Sequence, residues 1–565
     1  MDTDLNRNHA LRIPEIAYQV CEHLSPFFHT KTYLDFPDLD RKRTADLLHL
    51  ALTCRGLSEV ALDALWWAMN DLKHLFKLIP GFYVEAFSIG HLREDVKPGK
   101  DLEVFERYAA RIRVFISCYP ENILSSAISQ ISEARNNAPL LPRLRYIFAD
   151  GGTSELFYLI HPSLVSFTIQ GDSSEELDWS EENAYVALNA VIKKTTNLQR
   201  LVIGNGLEFP SALLKLTPTL ETLTHLSFRD ANRRKLSHVL DHSFLELLSM
   251  MPRLTHLVFE GNLNIQDTSI RQPGKPFFPA LTHLDILTLA TAMSNATKVL
   301  KTGRFKALQN LTLRLEVREM IGRGLPRLDV DLIPFFEALQ ISNTTTAPLK
   351  ALSIQLDRDS AISPLSEFPN FLRLSSLTEL VIPGKPIFKA WDDKELSQLV
   401  DAFPLLQKLV FLGTTYDWVR KTTFRSLIYM ARHLPDLREL STSVNLSHLP
   451  AIEDVPDADH DLKNLSLLCT IPEGISADVF ASLLSKVFPY LGSFKVTKSM
   501  DSPAGNKTFE SDVQKALWAS QLELAKQLSS KHNPRAKNSA EDAKISRHIC
   551  QLRARKKVAK KLFER

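Results

Sequence analysis

Three histidines stand where their type and spacing could do chemistry. His225, His256 and His283 occupy the same place in the successive segments Leu223-Thr-His-Leu226, Leu254-Thr-His-Leu257 and Leu281-Thr-His-Leu284. Stacked repeats would turn them into a ladder of imidazoles, a donor set that suits zinc. The same slot elsewhere holds Tyr146, Ser166, Arg200, Asn310, Glu379, Lys408, Glu439 and Asn464. It therefore reads as a polar, solvent-facing position, and no metal is expected. Carboxylates gather at Glu453, Asp454, Asp457, Asp459 and Asp461. Calcium uses such oxygens, but the spacing and the glycine of an EF-hand loop are missing, so a solvated loop is expected. Catalytic signatures are absent: there is no GxGxxG, Walker loop, GxSxG or HExxH. Gly204-Asn205-Gly206 lacks a third glycine and reads as a turn. These observations predict a non-enzymatic protein without cofactors.

Charge and cysteine usage narrow the setting. The chain of 565 residues carries a net charge of +3, yet residues 544–565 hold nine Lys or Arg against one Glu, which leaves the rest acidic. Only that tail could attract a polyanion such as nucleic acid. The five cysteines at 21, 54, 118, 469 and 550 form no CxxC pair, which points to reduced thiols in the cytoplasm or nucleus. The opening Met1-Asp2-Thr3-Asp4 is polar and acidic, so no secretory leader is expected. No apolar run approaches the roughly 20 residues a membrane span requires.

The elements that would position any site are repeats. A pattern that is often Pro-x-Leu-x-x-Leu returns with anchors at Leu144, Leu164, Leu198, Leu223, Leu254, Leu281, Leu308, Leu349, Leu377, Leu406, Leu437, Leu462 and Leu491. The mean spacing is about 29 residues, at the long end of leucine-rich repeats. Each anchor opens a strand-like run, and stretches such as Phe244–Leu248, Leu396–Val400 and Phe424–Ile428 read as the intervening helices. The expected fold is an α/β leucine-rich-repeat-like solenoid, a horseshoe with parallel strands on its concave face. Residues 112–498 would form it, with an opening unit around Ile112. Strand residues beside the leucines should face the groove, and Arg229, Glu260, Asp285 and Arg314 are its candidate target-binding residues. An amphipathic helix is expected at 509–530, with Val513, Leu517, Leu524 and Leu528 on one face; 499–565 then form a linker, this helix and the basic tail.

Ahead of the repeats lie three short amphipathic helices. Pro14 and Glu15 suit a helix start, and Ile16, Val20 and Leu24 follow at every fourth position. Leu47, Leu50, Ala51 and Cys54 give a second stripe, and Leu62, Leu65, Trp66 and Met69 a third. So small a module cannot bury all this apolar surface by itself.

Three pieces of this segment occur in an order with a known counterpart. They are Ile13-Pro14-Glu15-Ile16, the run Leu50-Ala51-Leu52-Thr53-Cys54-Arg55-Gly56-Leu57-Ser58, and Ala61-Leu62-Asp63-Ala64-Leu65-Trp66. Together they resemble the F-box family in its divergent fungal form, with an insertion at 25–43 lengthening the first loop and Gly56-Leu57 replacing a bulkier pair. The resemblance covers residues 11 to about 70. It implies a module at 11–67 that docks on a Skp-type adaptor, itself tethered to a cullin scaffold, with 68–111 as a helical connection to the repeats. Ile13, Pro14, Ile16, Leu24, Leu47, Leu50, Leu57, Leu65 and Trp66 are the expected adaptor-binding residues. The chain would then be the substrate-recognition subunit of an SCF-type ubiquitin ligase. A repeat scaffold with no ubiquitin connection is the alternative.

Overall fold

The computed structural model describes residues 14–24, 41–53, 55–84, 90–93, 99–117, 125–150, 156–170, 181–204, 220–229, 239–264, 278–289, 293–302, 305–316, 328–343, 347–356, 364–383, 392–412, 422–469, 475–497 and 506–531. Ile13, the insertion residues 25–40 and the basic tail 544–565 lie outside the described residues.

The protein is an α/β repeat solenoid of the leucine-rich-repeat type, built on one parallel sheet of fifteen strands. In chain order these are β1 (Ala68–Met69), β2 (Val114–Ser117), β3 (Tyr146–Asp150), β4 (Ser166–Gln170), β5 (Arg200–Gly204), β6 (His225–Arg229), β7 (His256–Glu260), β8 (His283–Leu289), β9 (Asn310–Glu316), β10 (Ala351–Leu356), β11 (Glu379–Pro383), β12 (Lys408–Leu412), β13 (Glu439–Ser443), β14 (Asn464–Leu468) and β15 (Ser493–Thr497). Strand order in the sheet follows chain order throughout. All thirteen anchor leucines are buried, as is the apolar residue three positions after each. Alternation along the strand then turns positions one, three and five to the opposite face.

A second ladder runs through the turns. The carbonyl of Thr224 accepts from the N–H groups of both Thr255 and His256, and the carbonyl of Thr255 accepts from Thr282 and His283 in the same way. Thr378 and Lys408 repeat the pattern further along. Threonine hydroxyls add a third donor, from Thr224 to Gln199 at 3.0 Å, Thr255 to Thr224 at 3.0 Å and Thr282 to Thr255 at 3.1 Å. Each of these donors gives a turn carbonyl a partner within the protein.

Two compact units divide the chain, Met1–Ile286 with Thr302–Ala307, and Leu287–Lys301 with Leu308–Arg565. In the first, α1 (Pro14–Leu24), α2 (Arg41–Thr53) and α3 (Arg55–Leu65) pack around Cys21, Leu47, Ala51 and Ala61. Small residues at this crossing let the helices approach closely. The sheet starts at Ala68, which pairs with Val114, so the stretch 68–111 expected as a helical connection already carries the first strand. That start escaped the repeat pattern because Trp66-Trp67-Ala68-Met69 has no leucine anchor.

The second unit has a phenylalanine core on the helical side. Phe336 touches Phe335, Phe368 and Phe371, with ring centroids 5.7, 5.8 and 4.9 Å away, and Phe371 meets Phe403 at 5.2 Å. Asp393, in the first turn of the helix Asp393–Ala402, accepts from the backbone N–H of Thr423 at 2.7 Å, from its hydroxyl at 2.6 Å, and from the hydroxyl of Ser426. Thr423 in turn caps the next helix, Phe424–His433. One carboxylate thus ties two successive repeat helices together. At the end of the sheet the helix Asn506–Lys531 covers the open strand edge. Gln514 accepts from the N–H of Phe494 at 2.8 Å and Glu510 from that of Val496 at 3.0 Å, while Val513 and Leu517 are buried. An uncovered β15 would offer a row of unpaired amides to other chains.

Candidate functional site

The N-terminal module presents an open apolar surface on α2. Leu48 and Leu52 are one helical turn apart, and Leu52 is 76% exposed. On α1, Tyr18 and Val20 are exposed as well. The expected adaptor-binding residues distribute differently. Leu47 and Leu57 are buried and hold the module together, while Leu24, Leu50 and Leu65 pack partly against its core. Ile16 is half-buried, and of Pro14 only its place at the start of α1 is described. Trp66 lies against Tyr108, with ring centroids 4.8 Å apart.

Arg111 fixes this module to the repeats. Its guanidinium donates to the carboxylates of Asp63 and Glu59 on α3, and to the Glu59 carbonyl at 3.2 Å. It also lies over the Tyr108 ring, 5.6 Å from the centroid. The hydrogen bond from Arg111 holds the Glu59 carboxyl below its usual range. Arg111→Ala should cost the module about 1 kcal/mol, because Glu59 is exposed and Asp63 only half-buried, so their share is screened. Amide exchange in α3 should then speed up about five-fold, measured on the full chain. Unchanged exchange would mean that Arg111 is not the clamp.

The strand face of the first unit carries the polar slot. Tyr146, Ser166, Arg200, His225 and His256 are register partners across β3 to β7. His283 continues the row, since it and His256 make the same backbone bond to the preceding repeat. The three imidazoles stack, His225 on His256 and His256 on His283, each with centroids 4.0 Å apart. Threonine hydroxyls fix their protons. Thr224, Thr255 and Thr282 stand 2.8, 2.9 and 2.8 Å from the neighbouring Nδ1 atoms. Each hydroxyl hydrogen is committed to a carbonyl, so its oxygen accepts and Nδ1 donates. The Nε2 atoms then carry the lone pairs. Parallel rings send those lone pairs in parallel directions, so they cannot converge on one ion. Among the described residues no group of three or more His, Cys, Asp or Glu is placed to hold a metal.

Burial lowers the pKa of all three imidazoles. For His256 the push is largest, to about 4, with His225, His283 and Arg200 adding to the burial effect. His225 is lowered by burial, then by Arg200 and His283, and His283 by burial.

Of the four candidate target-binding residues, Arg229 and Glu260 come together. They end neighbouring strands one step past the register pair Phe228 and Phe259. Asp285 lies two positions earlier along its strand, nearer the histidines. Arg314 belongs to the second unit. Arg200 was missed among the candidates although it shares the slot with the histidines. Its signal in the sequence is an arginine whose slot neighbours, Ser166 and His225, cannot pair with it. The second unit differs: there Glu379, Lys408 and Glu439 alternate, and Lys408 meets Glu439 at 3.1 Å.

The acidic loop is pinned by its own surroundings. Lys486 donates to the carbonyls of Ile452 at 2.9 Å and Val455 at 3.2 Å, Lys463 pairs with Asp461, and buried His460 donates from Nε2 to the Leu434 carbonyl at 2.7 Å. Among the described residues no helix is long and apolar enough to cross a membrane.

No protein-family model matches the chain, and no curated protein matches it. Among solved structures it is similar to the complex of Rad7 and Elc1 in yeast, at 14% identity and a TM-score of 0.32, over 69% of this chain and 86% of that one. A superposition that loose carries no argument about function.

Proposed function

We propose that this chain is the non-catalytic, target-binding subunit of a cullin-type ubiquitin ligase. The N-terminal module docks on a Skp-type adaptor, and the strand face of the repeats holds a protein target. The gain is effective concentration: a tethered target meets the transfer machinery as if dissolved at far higher concentration. Two features support the reading. The F-box-like residues stand in order along the first helices, and α2 leaves Leu48 and Leu52 facing water. An apolar pair on a helix turn is the kind of anchor that dominates helix-mediated docking.

The test is capture of the full chain by a purified Skp-type adaptor. Wild type should bind. Leu48→Asp with Leu52→Asp should weaken binding by about 100-fold, the scale set by two buried anchors. Their exposure makes this pair safer than Leu65 or Trp66, whose replacement would disturb the module itself. If wild type fails where an authentic F-box succeeds, the chain is a repeat scaffold without a ubiquitin role.

A further inference from the structure

The second unit holds a cavity whose free polar groups are acceptors. About 550 Å³ lie between the acidic loop, the last turns of the helix Ala477–Val487 and the helix Asn506–Lys531. That is the size of a small-molecule site. Asp457 and Asp459 line it from the loop, Ser485 and Lys486 from the first helix, and Gln521 from the second. Gln521 is only 3% exposed, and its Nε2 donates to the Leu491 carbonyl at 2.7 Å. Among the described residues its Oε1 has no partner. The Ser485 Oγ is also buried and bonds nothing.

Lys486 is the cation in this wall, and it is already engaged. It donates to the carbonyls of Ile452 and Val455 and stands 4.0 Å from Asp457. Asp459 is exposed, as are Glu453 and Asp454 earlier in the loop, and none of the three has an ion-pair partner among the described residues. The C-terminal end of the helix Ala477–Val487 adds partial negative charge. Buried acceptors without donors are unfavourable. A planar cation with five N–H donors and no acceptor answers the carboxylates, the amide oxygen and the hydroxyl together, and guanidinium is that group.

The chain carries such groups within reach, in the same unit. Arg553 and Arg555 stand in the run Arg553-Ala-Arg-Lys-Lys557. Gln521 lies ten residues before the helix end at Lys531, about 15 Å along the axis. Residues 532–552 can span up to about 70 Å. A tether of this kind gives about millimolar effective concentration.

We infer that this cavity is a receptor for a guanidinium group, supplied by Arg553 or Arg555 of the chain's own basic segment.

The experiment titrates the full chain with a labelled synthetic peptide of residues 551–561 and follows fluorescence anisotropy. The chain is used as wild type and with Arg553→Gln plus Arg555→Gln. The peptide should bind the variant saturably, and the wild type about ten-fold more weakly, because its own segment competes. In the variant background, Asp457→Asn with Asp459→Asn should weaken binding about ten-fold, a charge-assisted contact's worth. Ser485→Ala should weaken it about five-fold, a neutral hydrogen bond's worth. Both aspartates are exposed and the Ser485 Oγ bonds nothing in the fold, so these substitutions leave the unit intact. A peptide with lysine in place of both arginines should bind more weakly than the native one. Equal binding of the two peptides together with indifference to Ser485→Ala reduces the attraction to diffuse charge and overturns the cavity. Equal affinity for wild type and variant overturns the assignment to the chain's own segment. Absence of saturable binding overturns both.

Discussion

Phe336→Ala should remove about 4 kcal/mol from the stability of the second unit. The side chain is fully buried and touches three other phenylalanines. Deleting a buried aromatic ring costs about 3–5 kcal/mol through lost transfer energy and the cavity left behind. Edge-to-face partners add about 0.5–1.5 kcal/mol each when broken, so the upper half of that range applies. A typical domain has only about 5–15 kcal/mol in hand. Repeat arrays pass such losses mainly to their nearest neighbours. Denaturant unfolding should therefore show the transition of the second unit shifted and that of the first in place. Phe336→Leu should recover much of the loss. A change below about 1 kcal/mol for the alanine variant would mean that the surrounding helices close over the gap and the ring cluster is not the keystone of this core.

Acid should weaken the first unit through its histidine ladder. The unfolded pKa of His256 is 6.5 and the folded value about 4. The folded state therefore prefers the neutral ring. Its contribution is complete above about pH 6.5 and drains away as pH falls toward 4. The groups that face it are His225, His283 and Arg200, with Arg229, Glu260 and Asp285 on the same strands. A shift of this size is worth at most about 3 kcal/mol, and partial exposure reduces it to about 2. His225, His283, His161 and His460 are all lowered by burial and act in the same direction. Glu59 adds to the loss at lower pH, since Arg111 lowers its carboxyl. The unfolding free energy measured at pH 7 and at pH 4.5 should differ by several kcal/mol. His256→Gln should remove about 2 kcal/mol of that difference. Equal pH dependence in the variant and the wild type would exclude the ladder as the titrating element.

The repeat architecture was legible because leucine spacing reports burial directly. Every anchor from Leu144 to Leu491 is in the core. The helix Asn506–Lys531 was readable from Val513 and Leu517 for the same reason. Periodicity fails where a helix is apolar nearly all round. On α2, Leu47, Leu48, Leu50, Ala51 and Leu52 follow so closely that spacing cannot choose the inner side. The structure buries Leu47 and Ala51 and exposes Leu48 and Leu52. The histidine slot was visible as a polar position, but the hydroxyl-to-carbonyl bonds that set the proton on Nδ1 exist only once neighbouring repeats meet. The pairing of charges is likewise a property of register. Arg200 and Lys408 occupy the same slot, yet only Lys408 finds a carboxylate beside it.

The turn ladder makes each repeat interchangeable as an acceptor. The carbonyl of Thr224 receives Thr255 and His256, and the carbonyl of Thr255 receives Thr282 and His283, with the same donors in the same places. Excising residues 255–281 would bring Thr282 and His283 to the vacated carbonyl of Thr224, and His283 onto His225. Evolution can thus shorten or lengthen this protein by a whole coil without retooling the joint, while a partial excision would set donors against donors.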